Sequence, residues 1–175
     1  GCLPATPFRE YVDAAASAGF DAITIWPLMY QRALSREGLD AATMRRLVED
    51  SGLRIGDLDP CGVWLPEPPA GDADGPAMFR SRWQRHQFFE AAEALGVSCL
   101  TAVELAGVAV EHEVAVAGFA ALCDDAAEHG LVVALEFIPF SGIPDLAAAL
   151  AIVGDADRPN SGIVLDLCLF TRSGG

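Results

Sequence analysis

Two carboxylates stand alone inside apolar runs: Glu136 in Leu131-Val-Val-Ala-Leu-Glu136-Phe-Ile-Pro, and Asp166 in Gly162-Ile-Val-Leu-Asp166-Leu-Cys-Leu-Phe. Burying an ionised carboxylate is costly, so each needs a cation, a proton or several hydrogen-bond donors. They are thirty residues apart, the length of one strand–helix unit, and equivalent positions on adjacent parallel strands would lie about 5 Å from each other. Two like charges that close drive one pKa upward unless a divalent cation sits between them. The pair therefore reads as half of a metal site; an arginine partner, or a carboxylate capping a neighbouring helix, is the structural alternative.

Other side chains could line the same place. Glu104 ends the run Val97-Ser-Cys-Leu-Thr-Ala-Val-Glu one unit earlier, where it can bind a sugar hydroxyl or stand as a solvated loop carboxylate. Trp26, followed by Pro27, ends the first apolar run and suits either an aromatic wall beneath a sugar ring or core packing. Asp57 and Asp59 precede Pro60, where turn chemistry explains them as well as substrate binding does. His86, His112 and His129 fall in helical stretches, mostly on polar faces, and none is assigned to a metal. Neither a G-x-S-x-G elbow nor a nucleotide-binding glycine motif occurs.

The elements that must position these residues come from a unit that recurs five times: an amphipathic stretch, a glycine, then a short apolar run rich in β-branched residues. Strands are predicted over 21–26, 53–58, 97–103, 131–138 and 161–167. The preceding helices carry Phe8, Tyr11, Val12 and Ala15; Met44, Leu47 and Val48; Phe88, Ala91, Ala92 and Leu95; Val114, Leu122 and Ala126 within 111–129; and Leu146, Leu150 and Val153 after Pro144. Thr6 and Pro7 suit the first N-cap and first helical position, and Asp40 the second cap. Gly19, Gly52, Gly96, Gly130 and Gly154 read as the left-handed residues that let each helix turn into the next strand. Strands joined by single crossover helices are parallel, so the class is α/β. The pattern alone does not choose between an open doubly wound sheet and an arc of a closed barrel. Residues 60–76, with five prolines and three glycines, are too long and stiff for a plain connection and are expected to cover the carboxyl ends of the strands.

Composition narrows the partners. The chain has 175 residues, 52% of them hydrophobic, a net charge of −14 and no lysine, so one domain with a substantial core is expected across 1–175. A surface without clustered cations does not bind nucleic acid. No apolar run reaches eighteen residues and no signal peptide opens the chain, which places it in the cytoplasm, off the membrane. Cys2, Cys61, Cys99, Cys123 and Cys168 fall in no C-x-x-C pair and read as reduced.

The segments Leu135-Glu136-Phe-Ile-Pro-Phe-Ser-Gly-Ile-Pro-Asp-Leu and Asn160-Ser-Gly-Ile-Val-Leu-Asp166-Leu-Cys-Leu-Phe-Thr-Arg172-Ser-Gly-Gly resemble the fifth and sixth strand regions of the xylose isomerase-like superfamily. That group includes sugar phosphate isomerases and epimerases and the endonuclease IV type of DNA-repair enzyme (AP endonuclease family 2). The opening Pro7-Phe-Arg-Glu-Tyr-Val-Asp-Ala-Ala-Ala-Ser-Ala-Gly-Phe-Asp-Ala-Ile is similar to the family's first helix and second strand. The resemblance implies a partial (β/α)₈ TIM barrel of about five parallel strands, without the final βα units. It implies a divalent cation (Mn, Mg, Co or Zn) held by four side chains, of which Glu136 and Asp166 are the first two. It further implies that Glu136 doubles as a base in a metal-dependent sugar isomerase or epimerase. Arg172, in the following loop, can contact a substrate phosphate or carboxylate, an exposed arginine with no partner being the commoner case. Leu169 departs from the pattern, standing where the family commonly has a substrate-contacting histidine. A dehydratase of the same superfamily, or a non-catalytic truncated barrel, is the alternative. The acidic surface and the lack of strand-end histidines argue against DNA repair. Open sheet edges predict self-association into a homo-oligomer.

Overall fold

Apolar residues at helical spacing face a parallel sheet in a computed structural model of the chain, which describes residues 6–66 and 83–174. The order is α1 (Phe8–Ser17), β1 (Ala22–Ile25), α2 (Pro27–Arg36), α3 (Ala41–Asp50), β2 (Arg54–Cys61), α4 (Arg85–Leu95), β3 (Cys99–Val103), α5 (His112–Ala127), β4 (Val132–Glu136), α6 (Leu146–Ala156), β5 (Ser161–Val164) and α7 (Leu167–Arg172). The five strands form one sheet in the order β1-β2-β3-β4-β5, every pair parallel. A doubly wound sheet reverses its order at a switch point, whereas a barrel adds each strand beside the last. The uninterrupted order therefore makes this an arc of a (β/α)₈ barrel.

One face of the sheet holds the core. Ile25, Leu58, Leu100 and Leu135 are fully buried, and Phe8, Met44, Phe88 and Phe119 from the helices join them in one cluster. The predicted turns into the strands hold at Gly19, Gly52, Gly96 and Gly130, all with positive φ, where a Cβ would be strained. Asp40 caps α3 by accepting from the Thr43 N–H at 2.7 Å.

Several expectations shift. Pro7 occupies the N-cap of α1 and Phe8 the first position, with the Phe8 N–H donating to Glu37 at 2.8 Å. Gly154 lies inside α6; Asp157, at φ 47°, makes the left-handed turn instead, a conformation aspartate tolerates. Val114 and Leu150, expected to face inward, are 42% and 54% exposed, because the buried stripes run through Ala115, Phe119, Leu122 and Ala126, and through Ala149, Ile152 and Ala156. The helix α2 was not anticipated, since Leu28 and Leu34 point to solvent and blur its period. Of the proline-rich stretch, Pro60 and Cys61 still belong to β2 and the remainder from residue 67 lies outside the described residues, as do Cys2, Leu3 and Gly175. No helix among the described residues is long and apolar enough to cross a membrane.

Candidate active site

Hydrogen bonds fix which side chains share the inner face of the arc. Asp57, on β2, accepts from the Thr24 hydroxyl of β1 at 2.7 Å and from the Thr101 hydroxyl of β3 at 2.6 Å. Side chains alternate along a strand, so two residues further toward the carboxyl ends the same face carries Trp26, Asp59 and Val103. Val103 is the register partner of Glu136, and Glu136 of Val164, which adds Glu136 and, two residues beyond Val164, Asp166. The sheet thus gathers four carboxylates, Asp57, Asp59, Glu136 and Asp166, on one side of its carboxyl end, with Trp26 beside them.

The electrostatics agree with this placement. Burial, then the Asp57 charge, pushes Asp59 up to about 6, against the pull of the Trp26 indole N–H. Burial pushes Glu136 up to about 7, helped by Asp59, Asp166 and Asp57 in that order. Among the described residues no arginine or histidine forms an ion pair with any of the four; the six pairs present lie elsewhere, including Arg158–Asp124, His112–Asp155 and His129–Glu93.

Asp166 combines both roles the sequence left open. It is the N-cap of α7, and its Oδ1 accepts from the Cys168 N–H at 2.7 Å and the Leu169 N–H at 2.9 Å. Its other oxygen takes no part in the cap. Among the described residues no three His, Cys, Asp or Glu side chains converge tightly enough to hold a metal ion. Two strand-end carboxylates, each with oxygen lone pairs to spare and neither in an ion pair among the described residues, nevertheless fit half of a divalent-cation site.

The remaining expected residues divide. Trp26, the N-cap residue of α2, joins the acidic mouth. Glu104 follows the end of β3; it is 4% exposed and accepts from the Ala106, Gly107 and Gly142 N–H groups at 2.6, 3.3 and 2.6 Å. Both of its oxygens are thereby held by backbone donors. Arg172 is exposed in the last turn of α7, and Leu169 is half-buried against the core. Asp57 and Asp59, for which the sequence left turn chemistry and substrate binding both open, stand in a strand as an Asp-x-Asp alternation. Among the described residues Cys61, Cys99, Cys123 and Cys168 form no disulfide.

Parallel strands in sequence order, with acids at their carboxyl ends, make an arc of a (β/α)₈ barrel whose acids lie at the end where such barrels carry their sites. The chain belongs to the xylose isomerase-like TIM barrel family, whose model matches residues 12–174. No curated protein matches it. Among solved structures it is similar to the IolI protein with a bound zinc atom (20% identity, TM-score 0.77, covering 99% of this chain and 62% of that one). It is also similar to the probable 3-DHS dehydratase AsbF of Bacillus anthracis (19% identity, TM-score 0.72, 99% and 63%) and to D-psicose 3-epimerase in the presence of D-fructose (19% identity, TM-score 0.62, 91% and 58%). At these identities the likeness establishes the fold. The chain spans less than two thirds of the length of each of these three.

Proposed function

We propose that the acidic mouth is the cation-holding part of an active site that isomerises or epimerises a small polyol or keto-sugar, and that Glu136 and Asp166 hold the cation. The observation that carries this is Glu136: half-buried, raised to about 7 by burial and three neighbouring carboxylates, and in no ion pair with an arginine or histidine among the described residues. A divalent cation compensates such a cluster and, when bound, polarises a carbonyl and its neighbouring hydroxyl so that the adjacent C–H proton becomes removable. Bound zinc in the IolI structure supports a metal in this fold.

The chain's own residues divide the work. Asp166 offers the oxygen not used in capping α7. Glu136 contributes a second oxygen and doubles as the general base that takes the proton from carbon. Trp26 closes the mouth with an apolar surface against the carbon face of a sugar ring. Asp59, adjacent to the indole, is placed to accept from a substrate hydroxyl. Arg172 stays a contact for a phosphate or carboxylate at the far end of a longer substrate. With Leu169 in place of a hydrogen-bonding side chain, substrate orientation falls to the acids and Trp26. Loss of a neighbouring hydroxyl after the same proton abstraction gives a dehydratase.

Mn²⁺ titration of the chain tests the reading. Binding should strengthen between pH 6 and pH 8 as Glu136 and Asp59 ionise, and should be lost in Glu136→Ala and in Asp166→Asn. Deuterium incorporation from D₂O into D-fructose, followed by NMR with Mn²⁺ present, reports proton abstraction. Absence of Mn²⁺ binding in the parent chain, or binding indifferent to both substitutions, would refute the assignment.

A further inference from the structure

Glu104 lies at the end of β3, the strand that pairs with the one carrying Glu136. It follows Val103, the register partner of Glu136, and its carboxylate grips two loops at once: its own, through Ala106 and Gly107, and the β4–α6 loop, through Gly142, thirty-eight residues away. A glutamate almost fully removed from solvent and surrounded by three backbone donors is a strong, directional tie.

The two loops also interlock sterically. A Cβ at Gly142 would collide with the Val108 carbonyl oxygen and lie 2.9 Å from Val110 Cγ2, so only glycine lets them come this close. Gly107 has φ 73°, and a Cβ there would lie 3.5 Å from the Phe140 carbonyl oxygen. The β4–α6 loop is closed at its base by the Ile138 N–H donating to Ile143 O at 2.9 Å, and Phe137 and Ile143 are buried. Val103 is held from the opposite direction, its carbonyl accepting from the Trp64 indole N–H at 2.8 Å. The backbone that leaves Glu136 is therefore fixed at residues 138 and 142, and the strand beside it at 103 and 104.

We infer that Glu104 is a positioning residue for Glu136: by clasping the β4–α6 loop to the end of β3 it sets where the Glu136 carboxylate stands in the mouth. The inference rests on the proposed reading of Glu136 as a cation ligand. Groups that orient a ligand from behind typically change metal affinity about 10- to 100-fold when removed.

The test compares the parent chain with Glu104→Gln, which turns an NH₂ donor toward backbone donors, and Gly142→Ala, which wedges the same loops apart without touching Glu104. The readouts are Mn²⁺ affinity by electron paramagnetic resonance, well below the unfolding transition, and hydrogen exchange of peptides spanning 137–145 and 99–103. The inference expects both variants to bind Mn²⁺ about tenfold more weakly, with faster exchange over 137–145 and unchanged exchange over 99–103. Affinity within about twofold of the parent in the folded variants, whatever their stability, overturns it, since a merely structural clasp lowers stability and leaves the folded site intact. Should one variant fail to fold, the other decides. A parent chain that takes up no Mn²⁺ removes Glu136 as a ligand and this inference with it, a result distinguishable because only then is binding absent before any substitution.

Discussion

Glu136→Gln should make the metal-free protein more stable at high pH and leave it unchanged at low pH. In the folded chain the Glu136 pKa rises from 4.5 to about 7, so between those values the native state holds a proton that the unfolded chain has released. Stability therefore falls as pH rises through this window. At about 1.36 kcal/mol per pKa unit, the full rise corresponds to about 3 kcal/mol as an upper bound. The side chain is only half-buried and titrates together with Asp59, so solvent screening and coupling bring the expected effect to about 1–2 kcal/mol. Glutamine keeps the shape and cannot ionise. For a chain of this size the gain at pH 8 corresponds to a rise of about 2–8 °C in the unfolding midpoint, vanishing near pH 4. Thermal unfolding from pH 4 to pH 8, with a chelator present, measures it. A variant whose midpoint tracks the parent across the whole range, or falls below it at pH 8, would show that Glu136 is not crowded by the neighbouring acids.

Asp57→Ala removes both hydroxyl partners at once, leaving the buried Thr101 unpaired, and should cost about 2 kcal/mol in urea unfolding at pH 5. The same change withdraws one of the charges that raise Asp59 from 3.8 to about 6, so NMR titration should find the Asp59 pKa lowered. Alkylation followed by mass spectrometry should modify the exposed Cys168 before Cys61, which is buried and has its thiol pushed up to about 12 by that burial.

The architecture was legible because the punctuation was local. A glycine with positive φ follows the apolar stripe at 19, 52, 96 and 130, and each such turn depends on few neighbours. Where the punctuation was ambiguous the reading slipped: Gly154 is a helix residue, and Asp157 does what a glycine was expected to do. The Glu136 and Asp166 pair was legible for a different reason, since an isolated acid in an apolar run is expensive wherever it sits. The partners of Glu104 were not legible, because its bond to Gly142 depends on how two loops thirty-eight residues apart come together, which leaves no mark on composition. Asp57 and Asp59 were hidden by Pro60, which suggested a turn where β2 in fact runs on to Cys61.

The split duty of Asp166 bears on how this surface can change over generations. One oxygen anchors a six-residue helix and the other is free of that task, so the anchoring survives any residue whose side chain keeps an acceptor in the same place, asparagine foremost. On the proposed reading, such a replacement would remove a cation ligand while sparing the scaffold. A single conservative step at position 166 would then separate cation binding from the anchoring of α7, with the helix still in place.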